Sequence, residues 1–241
     1  PWRVGRFLLA GDAAHQMPPF LGQGMCAGVR DAANLAWRLR WVLDGMADDH
    51  VLDSYETERS PHVRSIIDLA VSMGSIICTL DPDVAAVRNQ QLRDHPELAP
   101  KGEPGETLPP LGPGVLQRDE SGAVVPPAGP CFITPRLDDP FATPLDQVGR
   151  FFTVLARSDA PTWSIVWGDD GEIDGGPPRL RSGGWDPELH VPEVDAWLDE
   201  HGVAAVILRP DHYVWGVALT AEELPALIDQ LAAQLRGPRT S

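Results

Sequence analysis

The chain has 241 residues, enough for one large or two small domains, and an ordinary hydrophobic share for a globular protein. A net charge of −16 argues against nucleic acid or an anionic membrane surface as partners, and no apolar run is long enough to span a bilayer. Cys26, Cys78 and Cys131 are widely spaced and form neither a CxxC pair nor a zinc pattern, which fits a reducing cytoplasm.

The first predicted element is a short buried strand, Phe7–Ala10, a brief apolar run closed by glycine. The chain leaves it through a tight Gly11-Asp12 turn. Pro18 and Pro19 forbid a helix through the loop that follows. Gly22-Gln23-Gly24 then opens a long helix. Its apolar residues Met25, Val29, Ala32, Ala36, Leu39 and Leu43 recur at helical spacing, which predicts that this face is buried. Glycines at a helix start let a ligand approach the backbone, and the first-turn N–H groups have no partner inside the helix. With the helix dipole added, such an end suits an anion or a ring that becomes anionic. Asp12, at a strand end, is placed to accept hydrogen bonds from hydroxyls. On spacing alone, a turn and a capped core helix remain an equal reading.

Asp44-Gly45 marks the end of that helix. A second helix is predicted from about Val51 to Ile77, kinked or divided at Pro61, with Val63, Ile66, Ile67, Ala70, Val71 and Met73 on its apolar face. Asp81-Pro82-Asp83 starts a third, running to about Arg93. Residues 95–131 are rich in proline and glycine and read as a linker or irregular wrapping segment, with Gly114–Gln117 as an edge-strand candidate. Beyond it the pattern alternates. Arg150–Arg157, Ser164–Trp167, Val203–Leu208 and Tyr213–Leu219 read as strands. Pro192–His201 and Ala221–Arg236 read as helices, the latter with Leu224, Leu227, Ile228, Leu231 and Leu235 on one face. Strands mixed with helices suggest a compact α/β sandwich.

Particular residues go further. Gly11-Asp12-Ala13-Ala14-His15, Pro18-Pro19, Gly22-Gln23-Gly24 and Asp31-Ala32-Ala33-Asn34-Leu35 together resemble the second FAD-binding motif of the single-component flavoprotein aromatic hydroxylases, the para-hydroxybenzoate hydroxylase type. The wording GQGMCAGVRDAANLAWRL looks most like the 3-(3-hydroxyphenyl)propionate hydroxylase branch, although many relatives have Asn where this chain has Cys26. Tyr55-x-x-Glu58-Arg59 also resembles the family. Leu208-Arg209-Pro210-Asp211-His212-Tyr213-Val214 resembles the L-R-P-D-x-x-V turn of a thioredoxin-like C-terminal domain in that branch. The resemblance implies an α/β fold in two parts: a partial FAD-binding domain over 1–94 (strand, flavin-motif loop, long helices), and a thioredoxin-like domain over 132–241 without CxxC, the 95–131 linker joining them.

It also implies an FAD-dependent aromatic-ring monooxygenase that hydroxylates a phenolic compound with NADH or NADPH and O2. Asp12 would hold the ribityl chain, the amides of Met25 and Cys26 would face the pyrimidine ring, and Pro19 would lie beside the ring. Gly11, Gly22, Gln23 and Gly24 complete the expected FAD contacts, and no side chain of this chain is expected to act as acid or base. No GxGxxG turn opens a βαβ unit, so the chain reads as the C-terminal part of a longer enzyme, inactive alone. The alternatives are another flavoprotein oxygenase with the same motif, or a non-catalytic thioredoxin-like module acting in dimer contacts as a homo-oligomer.

Other polar residues receive plainer readings. His15 is expected to pack the turn behind the flavin, Arg30 to be a solvated charge or ion pair, and Cys26 to contribute only its amide. Asp138-Asp139 and Asp169-Asp170 read as solvated turns. Trp163, Trp167, Trp185, Trp197 and Trp215 read as packing residues, and His190, His201 and His212 show no ligand spacing.

Overall fold

Helix α1 (Gly24–Leu43) joins the two halves of the molecule. The structure is a computed structural model and describes residues 1–98, 108–133, 151–156, 163–167, 178–182 and 192–237. Ahead of α1 lies a two-stranded antiparallel hairpin, β1 (Arg3–Val4) and β2 (Phe7–Leu8). After α1 come α2 (Asp53–Ile77) and α3 (Pro82–Asp94). The second half is a five-stranded sheet, β3 (Phe152–Ala156), β4 (Trp163–Trp167), β5 (Pro178–Ser182), β6 (Ala205–Leu208) and β7 (Val214–Ala218), in the order β5-β4-β3-β6-β7. All four neighbouring pairs are antiparallel. Helices α4 (Pro192–His201) and α5 (Leu224–Arg236) complete it.

Alternation along the strands sorts the core into two layers. Phe152, Val154, Ala205, Ile207 and Trp215 face α5 through Leu224, Ile228, Leu231 and Leu235, and the same layer takes in Trp37 and Trp41 of α1. Leu155, Val206, Leu208, Val214 and Val217 face the other way, onto Val194 and Leu198 of α4 and onto Phe132. Trp37, Trp41 and Phe152 meet edge-on, with ring centroids 5.2–6.0 Å apart. The expected packing roles hold for Trp215, which is fully buried, and for Trp197, which stacks on His201 at 4.0 Å.

Residues 108–133 form a strap. Gly112 N–H donates to the Glu58 carbonyl of α2, Gln117 N–H to the Trp215 carbonyl of β7, and the Gln234 side-chain amide of α5 to the Leu116 carbonyl. Gly114–Gln117 forms no strand. Its polar groups bond α2, β7 and α5 instead, with the Gln117 side-chain oxygen accepting from Val217 N–H at 2.7 Å.

Several expectations need correction. The strand predicted over Phe7–Ala10 is the outer limb of the hairpin. Only Phe7 and Leu8 pair, and Phe7 is 82% exposed, because among the described residues β1 is its sole strand neighbour. Pro61 does not divide α2 but lies inside one continuous helix. The Thr57 carbonyl, which Pro61 cannot bond, is instead covered by the strap, where Gly112 lies too close to tolerate a β-carbon.

The face predicted for α1 is also the wrong one. Met25 (79%) and Val29 (62%) are exposed, and Ala27, Asp31, Asn34, Trp37, Arg38 and Trp41 are buried. Val71 of α2 is likewise exposed, while Tyr55, Glu58, Arg59 and His62 are buried. Strand β5 falls where no element was expected. Helix α3 does start as predicted: the Asp81 carboxylate accepts from Asp83 and Val84 N–H, capping the helix. Asp138-Asp139, Asp169-Asp170, Trp185 and His190, and the side chains of Trp163 and Trp167, lie outside the described residues. Among the described residues no single helix is long and apolar enough to cross a membrane. Residues 49–77 and α3 reach that length and composition only as a pair bent by 110°.

Candidate functional site

Two short 3-10 turns, Gly11–Ala13 and Pro19–Leu21, lead from the hairpin into α1. Gly11 (φ +56°) and Gly22 (φ +62°) take left-handed backbone that a β-carbon would strain. Gly22 closes the second turn, its N–H donating to the Pro19 carbonyl at 3.0 Å. Helix α1 starts at once. No side chain caps it, and its first backbone bond runs from Ala27 N–H to the Gln23 carbonyl. The amides of Gly24, Met25 and Cys26 therefore form its positive end.

These segments line an open cavity of about 530 Å³, walled by Asp12, Gln16, Met17, Pro18, Pro19, Gly22, Gly24 and Met25. That is within the range of small-molecule and cofactor sites. The structure thus brings together Asp12, Pro19, Gly22, Gly24 and Met25 of the residues expected at a cofactor. Gly11, Gln23 and Cys26 are their chain neighbours and do not line the cavity. Asp12 is exposed and available to a ligand, and Cys26 is half-buried. Arg30 donates to the Gln23 side-chain oxygen, a neutral acceptor, at 3.3 Å. Among the described residues no group of His, Cys, Asp and Glu could hold a metal ion.

Behind this cavity, α1 buries charge. The Asp31 carboxylate accepts three hydrogen bonds: from Gly11 N–H (2.9 Å), His15 Nε2 (2.6 Å) and Arg59 Nε (2.8 Å). His15 also tilts against Trp2, with ring centroids 5.4 Å apart.

A second cluster lies further along the helix. Arg209 grips Glu58 with both terminal nitrogens (2.9 and 2.8 Å) and Asp211 through Nε and Nη2 (2.9 and 2.7 Å). Arg38 Nη2 lies 2.7 Å from Glu58. The Asn34 side chain donates to both Glu58 and Asp211, and Trp37 Nε1 donates to Asp211. Arg38, Arg59 and Arg209 match Asp31, Glu58 and Asp211, so the buried charges balance, as burial in low dielectric requires.

None of these roles follows from apolar periodicity. The signal available was that Asp31/Asn34, Glu58/Arg59 and Arg209/Asp211 belong to the three runs that resemble one family.

Burial would raise the Glu58 carboxyl, but Arg209 and Arg38 outweigh it and hold it at about 2. His62, on the same face of α2, is lowered to about 4 by burial and by the charges of Arg59 and Arg30, with the Pro109 and Pro110 carbonyls opposing. Both groups bind a proton later in the folded chain than in the unfolded one. The His62 contribution is complete above about pH 6.5 and is lost as pH falls toward 4. The Glu58 contribution is complete above about pH 4.5 and is lost toward pH 2. Urea midpoints measured across this range should therefore fall in two stages. His62→Leu should remove the first and leave the second; an unaltered first stage would contradict the assignment.

Comparison with known proteins fits this geometry. Residues 1–70 match the family described as FAD binding domain. The described elements form a mixed helix and sheet fold similar to that of about half of two solved flavin enzymes. The chain resembles the rebeccamycin biosynthetic enzyme RebC with reduced flavin (25% identity, TM-score 0.60, 97% of this chain and 46% of that one). It also resembles the flavin-dependent monooxygenase PieE in complex with FAD and substrate (22% identity, TM-score 0.62, 97% and 48%).

Among curated proteins it is similar to the probable NADH-specific resorcinol 4-hydroxylase of Rhodococcus jostii (strain RHA1), with 35% identity over 96% of this chain and 43% of that protein. It is similar too to the 3-(3-hydroxy-phenyl)propionate/3-hydroxycinnamic acid hydroxylase of Mycobacterium sp. (strain JLS), with 34% identity over 90% and 42%. The chain spans less than half the length of these relatives.

Proposed function

We propose that this chain forms the flavin-ring side of an FAD-dependent monooxygenase that hydroxylates a phenolic aromatic compound, of the 3-(3-hydroxyphenyl)propionate kind, with NADH or NADPH and O2, in the cytoplasm. The observation that carries this reading is the single cavity in which Asp12, the prolines and the amide end of α1 converge. When bound, FAD supplies the redox chemistry, and the protein supplies binding, orientation and electrostatics. Asp12 would hold a ribityl hydroxyl by accepting its hydrogen bond. The amides of Met25 and Cys26, at the positive end of a 20-residue helix, would hold the pyrimidine side of the ring and favour negative charge there. Pro18 and Pro19 wall the cavity with rigid apolar rings and would lie beside the flavin ring. We read the second half, with no CxxC, as the counterpart of a thioredoxin-like module without thiol exchange, from which its described sheet departs in being antiparallel throughout.

Asp12→Ala in the flavin-loaded enzyme that carries this chain tests the reading. Loss of a hydrogen bond to a charged acceptor, about 1.5–3 kcal/mol, should weaken flavin binding about ten- to a hundred-fold. Cys26→Ala, which keeps the backbone amide, should leave binding unchanged. Equal flavin titrations for Asp12→Ala and the unaltered protein would overturn the assignment.

A further inference from the structure

We propose that Asp31 is the positioning residue of the flavin site: it locks the Gly11–Ala13 turn, which carries Asp12, onto the helix whose amide end faces the ring. This rests on the reading above, but its geometry stands on its own. Asp12 and the Met25 amide come from separate segments and must present themselves to one ligand at fixed spacing. The covalent path between them runs through the proline loop. The short path runs through Asp31.

Asp31 Oδ2 takes both Gly11 N–H, the first amide of the turn, and His15 Nε2, just past its end. His15 N–H in turn donates to the Gly11 carbonyl at 3.0 Å, so the turn is closed on itself and clamped at both ends by one oxygen. The other oxygen, Oδ1, is held by Arg59 of α2, which also reaches the Ala27 carbonyl of α1 at 3.3 Å. One turn of helix before Asp31, Gly28 packs against the Gly11 backbone, where a β-carbon would sit in ordinary contact, 3.5 Å from the Gly11 α-carbon. Asp31 is fully buried and does not line the cavity, so it acts through the groups it holds. Charge-assisted bonds of this kind are short and directional, which suits a part that sets a position.

The test compares Asp31→Asn with Asn34→Ala in the flavin-loaded enzyme. Asn34 is equally buried on the same helix but belongs to the Glu58–Arg209 cluster, so it controls for general loosening of α1. Three quantities are read: the flavin dissociation constant, the visible absorption of bound flavin, and hydrogen exchange of the Gly11 amide in the flavin-free protein. Asp31→Asn should weaken flavin binding about ten-fold or more, shift the flavin spectrum and speed Gly11 exchange. Asn34→Ala should lower the melting temperature yet leave all three readings near those of the unaltered protein. Equal effects of the two substitutions, or unchanged flavin binding in Asp31→Asn, would overturn the proposal. If the unaltered enzyme binds no flavin, the functional reading fails, and Gly11 exchange alone then decides: unaltered protection in Asp31→Asn overturns the clamp. If Asp31→Asn does not fold, His15→Ala takes its place. It should weaken flavin binding several-fold and speed Gly11 exchange, and no change in either sinks the idea.

Discussion

Replacing Arg209 by alanine is expected to lower the stability of the fold by about 3–5 kcal/mol, the cost of breaking a buried ion pair from one side. Arg209 spends its guanidinium on Glu58, on Asp211 and on the Val115 carbonyl of the strap, and it is almost wholly buried. Without it, Glu58 and Asp211 keep their burial and their shared neighbour Asn34, with Arg38 as the remaining cation beside them. Two carboxylates so placed resist joint ionisation. Arg209→Lys keeps the charge but not the fork, so it should recover only part of the loss. Urea unfolding of the three proteins would measure this. A change below about 1 kcal/mol for the alanine variant, the range of an exposed pair, would show that the cluster is not the buried joint described here.

Trp41→Ala should cost a similar amount, about 3–5 kcal/mol, for an unrelated reason: it empties a space that the surrounding core cannot close. Trp41 is fully buried, edge-on to Phe152 of the sheet and to Trp37 one helical turn earlier. Met46 and Ala47 N–H both donate to its carbonyl, fixing the helix end against which the ring is held. Trp41→Phe should lose less, since it retains an aromatic ring for Phe152. Because Trp41 sits in the layer that faces α5, loss of helix signal and loss of core fluorescence should occur together in this variant. Separate transitions for the two signals, or a cost near that of a surface substitution, would count against a common core.

Much of the architecture was legible because short elements bounded by Gly and Pro leave plain marks. Asp81-Pro82 announces α3, and the leucines of Ala221–Arg236 announce α5. The positions of Asp12, Pro19, Gly22, Gly24 and Met25 around one cavity were legible from a long specific motif, not from spacing alone. The buried face of α1 was not. Periodicity counts apolar side chains, and it chose Met25, Val29 and Ala32, whereas the helix buries Asp31, Asn34 and Arg38. A charged side chain goes inside only when partners distant in sequence come with it. Asn34 finds Asp211 across 177 positions, and Glu58 finds Arg209 across 151. No local pattern carries that information. The continuity of α2 through Pro61 was hidden for the same reason, since the strap that backs the Thr57 carbonyl lies some fifty positions downstream. Strand β5, Pro-Arg-Leu-Arg-Ser, lacks the apolar run by which the other strands were found.

The layer shared by α1, β3, β6, β7 and α5 also bears on how such chains can be recombined. The proline-rich stretch looks like a seam at which one natural C-terminal portion could be exchanged for another. Yet a graft made there would pair foreign strands with the two tryptophans of α1, and a foreign acid–base set with Glu58 and Asn34. Successful exchange would need the indole pocket and the arginine fork to travel with the grafted half, or α1 to be redesigned to meet them. Variation between relatives should therefore be correlated across the seam, at residues far apart in the chain, and freest on the surface of α3, which buries none of its side chains.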